Sequence, residues 1–100
     1  MIKPVGKYID SAKTEKRIIK DLCSKDPADR YHLVRYVESL YHYNYFCLVF
    51  EQLGPSLFDV IKKNRFAGFP GKEVQSFVKQ LLEAVGFMHE NGYTHTDLKP

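Results

Sequence analysis

The chain has 100 residues, 44% of them hydrophobic and 27% charged, with a formal net charge of +3. That length suits one small domain, and that apolar content suffices for a core, which argues against a disordered chain. The cations are scattered through helical stretches and form no block, so composition argues for a solvated surface and against direct nucleic-acid or membrane binding.

The first predicted element is a helix from about Ser11 to Leu22, where Ala12, Ile18, Ile19 and Leu22 recur at helical spacing. Asp10 is its predicted N-cap, and Lys20 and Lys25 stand near the far end, where the helix dipole favours cations. Residues 25–29, rich in Asp and containing Pro27, read as a loop. Two strand-like runs follow, His32–Ser39 and Tyr45–Glu51. The second holds Phe46-Cys47-Leu48-Val49-Phe50, a run that suits a strand covered on both faces. His42-Tyr43-Asn44 fits a hairpin connection, because Asn44 tolerates a positive φ.

Gln52-Leu53-Gly54-Pro55 punctuates the chain and is predicted to be a linker. Ser56, with Asp59 three residues on, makes a capping-box pattern before a short helix of Leu57, Val60 and Ile61 that ends near Asn64. After Gly68-Phe69-Pro70-Gly71 comes the strongest pattern in the chain: Val74, Phe77, Val78, Leu81, Leu82, Val85 and Met88 keep helical spacing. Asn91-Gly92 is the predicted stop. The layout is a helix and strands, then a linker, then helices, which predicts two half-bodies.

Cys23 and Cys47 form no C-x-x-C pair, and the N-terminus lacks the apolar core of a signal sequence. An intracellular, reduced chain is the expectation. The four histidines have no metal-ligand spacing with each other or with the cysteines.

Two carboxylates stand out. Glu15 shares a helix face with Ile18 and Ile19, so it is either a boundary residue reaching water or half of an ion pair with a lysine. Asp97 lies in His95-Thr96-Asp97-Leu98-Lys99-Pro100, just past the long helix. The run is either a polar loop at a helix end or a site for phosphoryl chemistry. In the second case the carboxylate accepts a hydroxyl proton and the ammonium neutralises charge on the moving phosphate.

The run from His95 to Pro100 resembles the catalytic loop of protein kinases, H-R-D-x-K-x-x-N, with Thr96 in the arginine slot. That threonine is similar to the LAMMER or CLK-type branch. Other blocks agree in order. Lys7-Tyr8 and Ser11-Ala12-Lys13-Thr14-Glu15 resemble the approach to helix C, and Cys47 to Gly54 the fifth strand and hinge. Ser56-Leu57-Phe58-Asp59 resembles helix D; Gln80-Leu81-Leu82-Glu83 and Phe87-Met88-His89 resemble helix E.

The resemblance implies an α+β fold: part of the bilobal kinase fold, with N-lobe sheet and helix C in residues 1–53, and helices D and E and the start of the catalytic loop in residues 54–100. It implies Asp97 as catalytic base, Lys99 on the γ-phosphate, and Glu15 as partner of the ATP-positioning lysine. His95 would anchor the loop and Phe50 would be the gatekeeper, with the backbone of Glu51 and Leu53 meeting the adenine edge. ATP and magnesium are the implied cofactors, with the magnesium ligands outside these residues. The implied partners are protein substrates, serine/arginine-rich splicing factors among them, and the implied location is the nucleus.

The glycine-rich loop, the lysine partner of Glu15, the asparagine expected beyond Lys99 and the D-F-G segment are not among these residues. A chain of this extent alone is therefore expected to be inactive, with an exposed apolar face on its long helix. The competing readings are a non-catalytic kinase-like binding module and a basic structural domain with a coincidental loop.

Overall fold

The computed structural model describes Ile2 and residues 6–100. They form α1 (Gly6–Lys25), β1 (Tyr36–His42), β2 (Tyr45–Phe50), α2 (Leu57–Lys63) and α3 (Gly71–Glu90), an α+β set as the resemblance implied. The chain divides into two compact units, Met1–Gln52 and Leu53–Pro100.

In the first unit, α1 begins earlier than its apolar spacing predicts. Asp10 is not its N-cap but an interior residue. The buried stripe extends one turn back, through half-buried Ile9 to Ala12, and then to Ile19 and Leu22. Two hydroxyls near Asp10 bond back to carbonyls within the helix. Ser11 Oγ donates to the Lys7 carbonyl at 3.0 Å, and Thr14 Oγ1 donates to the Asp10 carbonyl at 3.1 Å. Ala12, Leu22 and Phe46 form the buried core of this unit, at 2%, 5% and 4% exposure.

The hairpin is set by its turn. Tyr43 and Asn44 both have positive φ, 46° and 67°, as in the type I′ turn whose twist matches two antiparallel strands. Pairing starts at His42↔Tyr45 and runs back through Leu40↔Cys47 to Glu38↔Val49, with an irregularity before Tyr36↔Phe50. β1 thus lies several residues later than predicted. His32, at φ 60°, breaks the extended run on one side, and the turn carries pairing past Ser39 on the other. β2 is exposed at Tyr45, buried at Phe46 and half-buried from Cys47 to Phe50. Its sheet has two strands, and Ile2 adds a single bridge at Phe46. The expected cover on both faces is therefore incomplete among the described residues.

The loop after α1 is tied by Asp26 and Arg35. The buried Asp26 carboxylate accepts from the Arg30 N–H at 2.9 Å and the Tyr31 N–H at 3.1 Å. The Arg35 guanidinium donates to the carbonyls of Asp26 and Cys23 and pairs with Asp29 at 3.3 Å. Burial pushes the Asp26 carboxyl up, but the two N–H donors and the charges of Arg35 and Arg30 outweigh it and hold the group below its ordinary value.

In the second unit, Ser56 caps α2 in a full capping box. The Asp59 N–H donates to Ser56 Oγ at 3.1 Å, and the Ser56 N–H donates to Asp59 Oδ2 at 3.2 Å. α3 leaves its apolar face open: Val74, Val78, Leu81 and Leu82 are exposed, and only Phe87 is buried. Phe77 packs edge-on against Phe69, ring centroids 5.1 Å apart.

Candidate functional site

α3 ends in a Schellman motif. The Gly92 N–H donates to the His89 carbonyl at 3.0 Å, and the Tyr93 N–H donates to the Met88 carbonyl at 2.9 Å. Gly92 stands at φ 82°, the left-handed conformation that such a stop requires. The Asn91 side chain adds a bond to the Phe87 carbonyl at 2.8 Å. The last helical carbonyls are thereby satisfied and the chain leaves α3 in a fixed direction.

Beyond this stop, Lys99 Nζ lies 3.2 Å from Asp97 Oδ2. The side chains are 74% and 75% exposed. An exposed pair of this kind adds at most about 1 kcal/mol to stability, so fold stability is not what it chiefly supplies. The Asp97 N–H donates to His95 Nδ1 at 3.1 Å, which ties the histidine to the aspartate's backbone. Between them Thr96 has φ 73°. A β-branched residue rarely takes that conformation, and such outliers cluster at functional loops. Spacing alone does not announce this feature of Thr96.

The other predicted site residues lie at the following places. Phe50 ends β2, half-buried, with its ring 6.3 Å from Tyr36 and edge-on to it. Glu51 is bonded twice to Arg35: its N–H donates to the Arg35 carbonyl at 2.9 Å, and its carboxylate Oε1 accepts from the Arg35 N–H at 2.9 Å. Arg35 thus positions Glu51 and also ties the loop after α1. Sequence reasoning missed it, because its partners lie at Cys23, Asp26, Asp29 and Glu51, far apart in the chain. Leu53, in the second unit, is 64% exposed. Glu15 is exposed on α1 and makes no ion pair among the described residues. The structure therefore joins Asp97 with Lys99 and His95, and Glu51 with Arg35.

Two groups implied by the chemistry can be tested against these residues. Among the described residues, the Glu51 carbonyl in the first unit has no hydrogen-bond partner, and in the second unit the Leu53 N–H has none. No group of three acidic, histidine or cysteine side chains that could hold magnesium is assembled among the described residues.

The whole chain, residues 1–100, matches the family model of the protein kinase domain. It is 37% identical over its full length to the dual specificity protein kinase CLK4 of Mus musculus, and 42% identical to the serine/threonine-protein kinase AFC3 of Arabidopsis thaliana. It spans 21% and 25% of those two proteins. It is also similar to the crystal structure of the PF14_0431 kinase domain, with a TM-score of 0.87 and 34% identity over 96% of this chain and 28% of that one.

Proposed function

Because the chain belongs to the protein kinase domain family, in its CLK-type branch, we propose that it carries the hinge and the opening of the catalytic loop of an ATP-dependent protein kinase. The parent enzyme moves the γ-phosphate of ATP to serine and threonine hydroxyls of proteins, and to tyrosine. The observation that supports this reading best is the Asp97–Lys99 pair, on a loop that the Schellman stop and His95 hold in place.

In this reading Asp97 orients the substrate hydroxyl and accepts its proton, and Lys99 leaves Asp97 to steady the γ-phosphate. The pair is exposed, so exchanging one anionic partner for another costs Lys99 little. The Glu51 carbonyl and the Leu53 N–H hold the adenine edge, and Phe50 shapes the pocket behind it. Arg35 fixes the peptide between Phe50 and Glu51 and holds the Glu51 side chain. Glu15 receives the lysine that orients the phosphates, and its open carboxylate suits that task. Magnesium supplies charge neutralisation on the phosphates when bound, through ligands outside these residues. The substrates are serine/arginine-rich splicing factors and the location is the nucleus.

A polypeptide of these 100 residues alone does not transfer phosphate. Phosphoryl transfer depends on positioning and on metal-assisted charge stabilisation, and the groups that supply them are not in this stretch. The open face of α3 also makes such a polypeptide prone to self-association. Purified polypeptide, incubated with radiolabelled ATP, magnesium and a serine/arginine-rich peptide, is expected to give no labelled product. Incorporation that disappears in Asp97→Asn would overturn the claim of inactivity.

A further inference from the structure

Tyr41 of β1 stands beside a face of α1 that carries Lys13, Lys16, Arg17 and Lys20, and all five line one space between the helix and the hairpin within the first unit. The four cations are spaced i, i+3, i+4 and i+7, which puts them on one side of the helix. Lys13 with Arg17 and Lys16 with Lys20 are like charges at i,i+4, which repel each other and weaken a helix. None of the four forms an ion pair among the described residues, and no carboxylate lines the space. Elsewhere helical lysines are paired, Lys25 with Asp21 at 3.1 Å and Lys79 with Glu83 at 3.9 Å. The Tyr41 ring lies 5.2 Å from the ring of the buried Phe46, yet Tyr41 is 58% exposed, so it is held on one side and open on the other. It is the last residue but one of β1, and β1 pairs with β2 alone, which leaves its other edge open among the described residues. Tyr8, Tyr43 and Tyr45 are exposed too, but none of them lines the space beside the cations.

We propose that Tyr41 is a phosphorylation site whose phosphate is clasped by the cations of α1. A tyrosine-directed kinase moves the γ-phosphoryl group of ATP to Tyr41 Oη. The new O–P bond forms, the bond from that phosphorus to ADP breaks, and the phenol proton passes to that enzyme's base. The open edge of β1 gives such an enzyme an extended backbone to pair with. The product carries a charge of about −1.5 to −2 and three acceptor oxygens. A phosphate facing a cluster of cations gains charge-assisted hydrogen bonds, and the Arg17 guanidinium offers a bidentate pair. The same phosphate relieves the repulsion along α1. On Tyr43 or Tyr45 it would meet no such cluster, since neither lines the space. The clasp ties the end of β1 to α1, two elements otherwise joined by side-chain packing in the first unit. It involves none of Asp97, Lys99, Phe50, Glu51 or Leu53, so the proposal is independent of the catalytic reading.

The test uses the intact protein twice. First, it is incubated with ATP, magnesium and the catalytic domain of a tyrosine kinase, and the modified residues are mapped by mass spectrometry. Phosphate on Tyr41 is expected, and its absence there overturns the assignment of the site. Second, phosphotyrosine is installed during translation in place of Tyr41 or of Tyr43, and the phosphorus NMR resonance is followed against pH. In place of Tyr41, the midpoint of the second phosphate ionisation is expected to fall from about pH 6 to about pH 5, because the cations favour the dianion. In place of Tyr43 it is expected to stay near about pH 6. Added salt is expected to shrink the difference, because the cations are reached by solvent. Lys16→Gln with Arg17→Gln is expected to bring the first midpoint back toward the second, and Lys62→Gln with Lys63→Gln on α2 to leave it low. Equal midpoints at the two positions overturn the clasp, as does a low midpoint that the α1 pair fails to raise or that the α2 pair raises equally.

Discussion

The stop at the end of α3 makes a prediction in which one substitution has opposite signs at two sites. Gly86 and Gly92 lie on the same helix and its cap, and a Cβ built on either meets no heavy atom within 4 Å. Packing therefore contributes nothing to either change, and backbone conformation decides both. Gly92 sits at φ 82°, so Gly92→Ala places a Cβ against its own carbonyl and costs about 1 to 2 kcal/mol. The lower entropy of the unfolded alanine chain offsets part of that, leaving a net loss of about 1 kcal/mol. Gly86 lies inside α3 with helical geometry, so Gly86→Ala stabilises by about 0.5 to 1 kcal/mol. The difference between the two variants approaches about 2 kcal/mol, roughly a thirtyfold change in the opening equilibrium of the helix end. Native-state hydrogen exchange at the amides of Asn91, Gly92 and Tyr93 reads it directly. Faster exchange in Gly92→Ala and slower or equal exchange in Gly86→Ala is the expected pair. A shift of the same sign in both would refute the assignment of the left-handed stop.

Other perturbations separate the local devices. Ser56→Ala removes the oxygen that accepts the Asp59 N–H and should cost about 1 kcal/mol, seen as faster exchange at Asp59 and Val60, while Ser56→Asp should keep most of the cap. Phe46→Ala empties the floor of the first unit and should lower unfolding free energy by about 3 to 5 kcal/mol, read from urea titration at fixed m-value. Asp26 gives the pH dependence. Its folded-state value is lowered from 3.8, so its contribution is fully present above that pH and is lost as pH falls through the lower, folded-state value. Melting temperature should fall more steeply with acid in the unmutated protein than in Asp26→Asn, and identical acid profiles would contradict the role given to this carboxylate.

The parts of the fold that local chemistry decides were legible in the residues. Asn44 marked the turn, Ser56 and Asp59 marked the capping box, and Asn91-Gly92 marked the stop, because each device is complete within a few positions. The start of α1 was not legible. Asp10 matches the preference for a cap, yet the buried stripe that takes in half-buried Ile9 carries the helix past it. The shift of β1 was not legible either, since register is a property of two strands together and not of one run of residues. Of the candidate site, the short spacing of Asp97 and Lys99 was enough to single out the two residues, and their ion pair is what the structure adds. Arg35 and the strained Thr96 were hidden, the first because its partners are distant in sequence, the second because φ is not encoded by residue type alone.

The most direct test of the account is the turnover of the intact kinase carrying Asp97→Asn, measured with saturating ATP and a serine/arginine-rich peptide. If Asp97 orients the hydroxyl and takes its proton, kcat falls by about 10² to 10⁴ while the KM for ATP stays close to that of the unmutated enzyme. An unchanged kcat would contradict it, and His95 to Pro100 would then be a polar loop at a helix end.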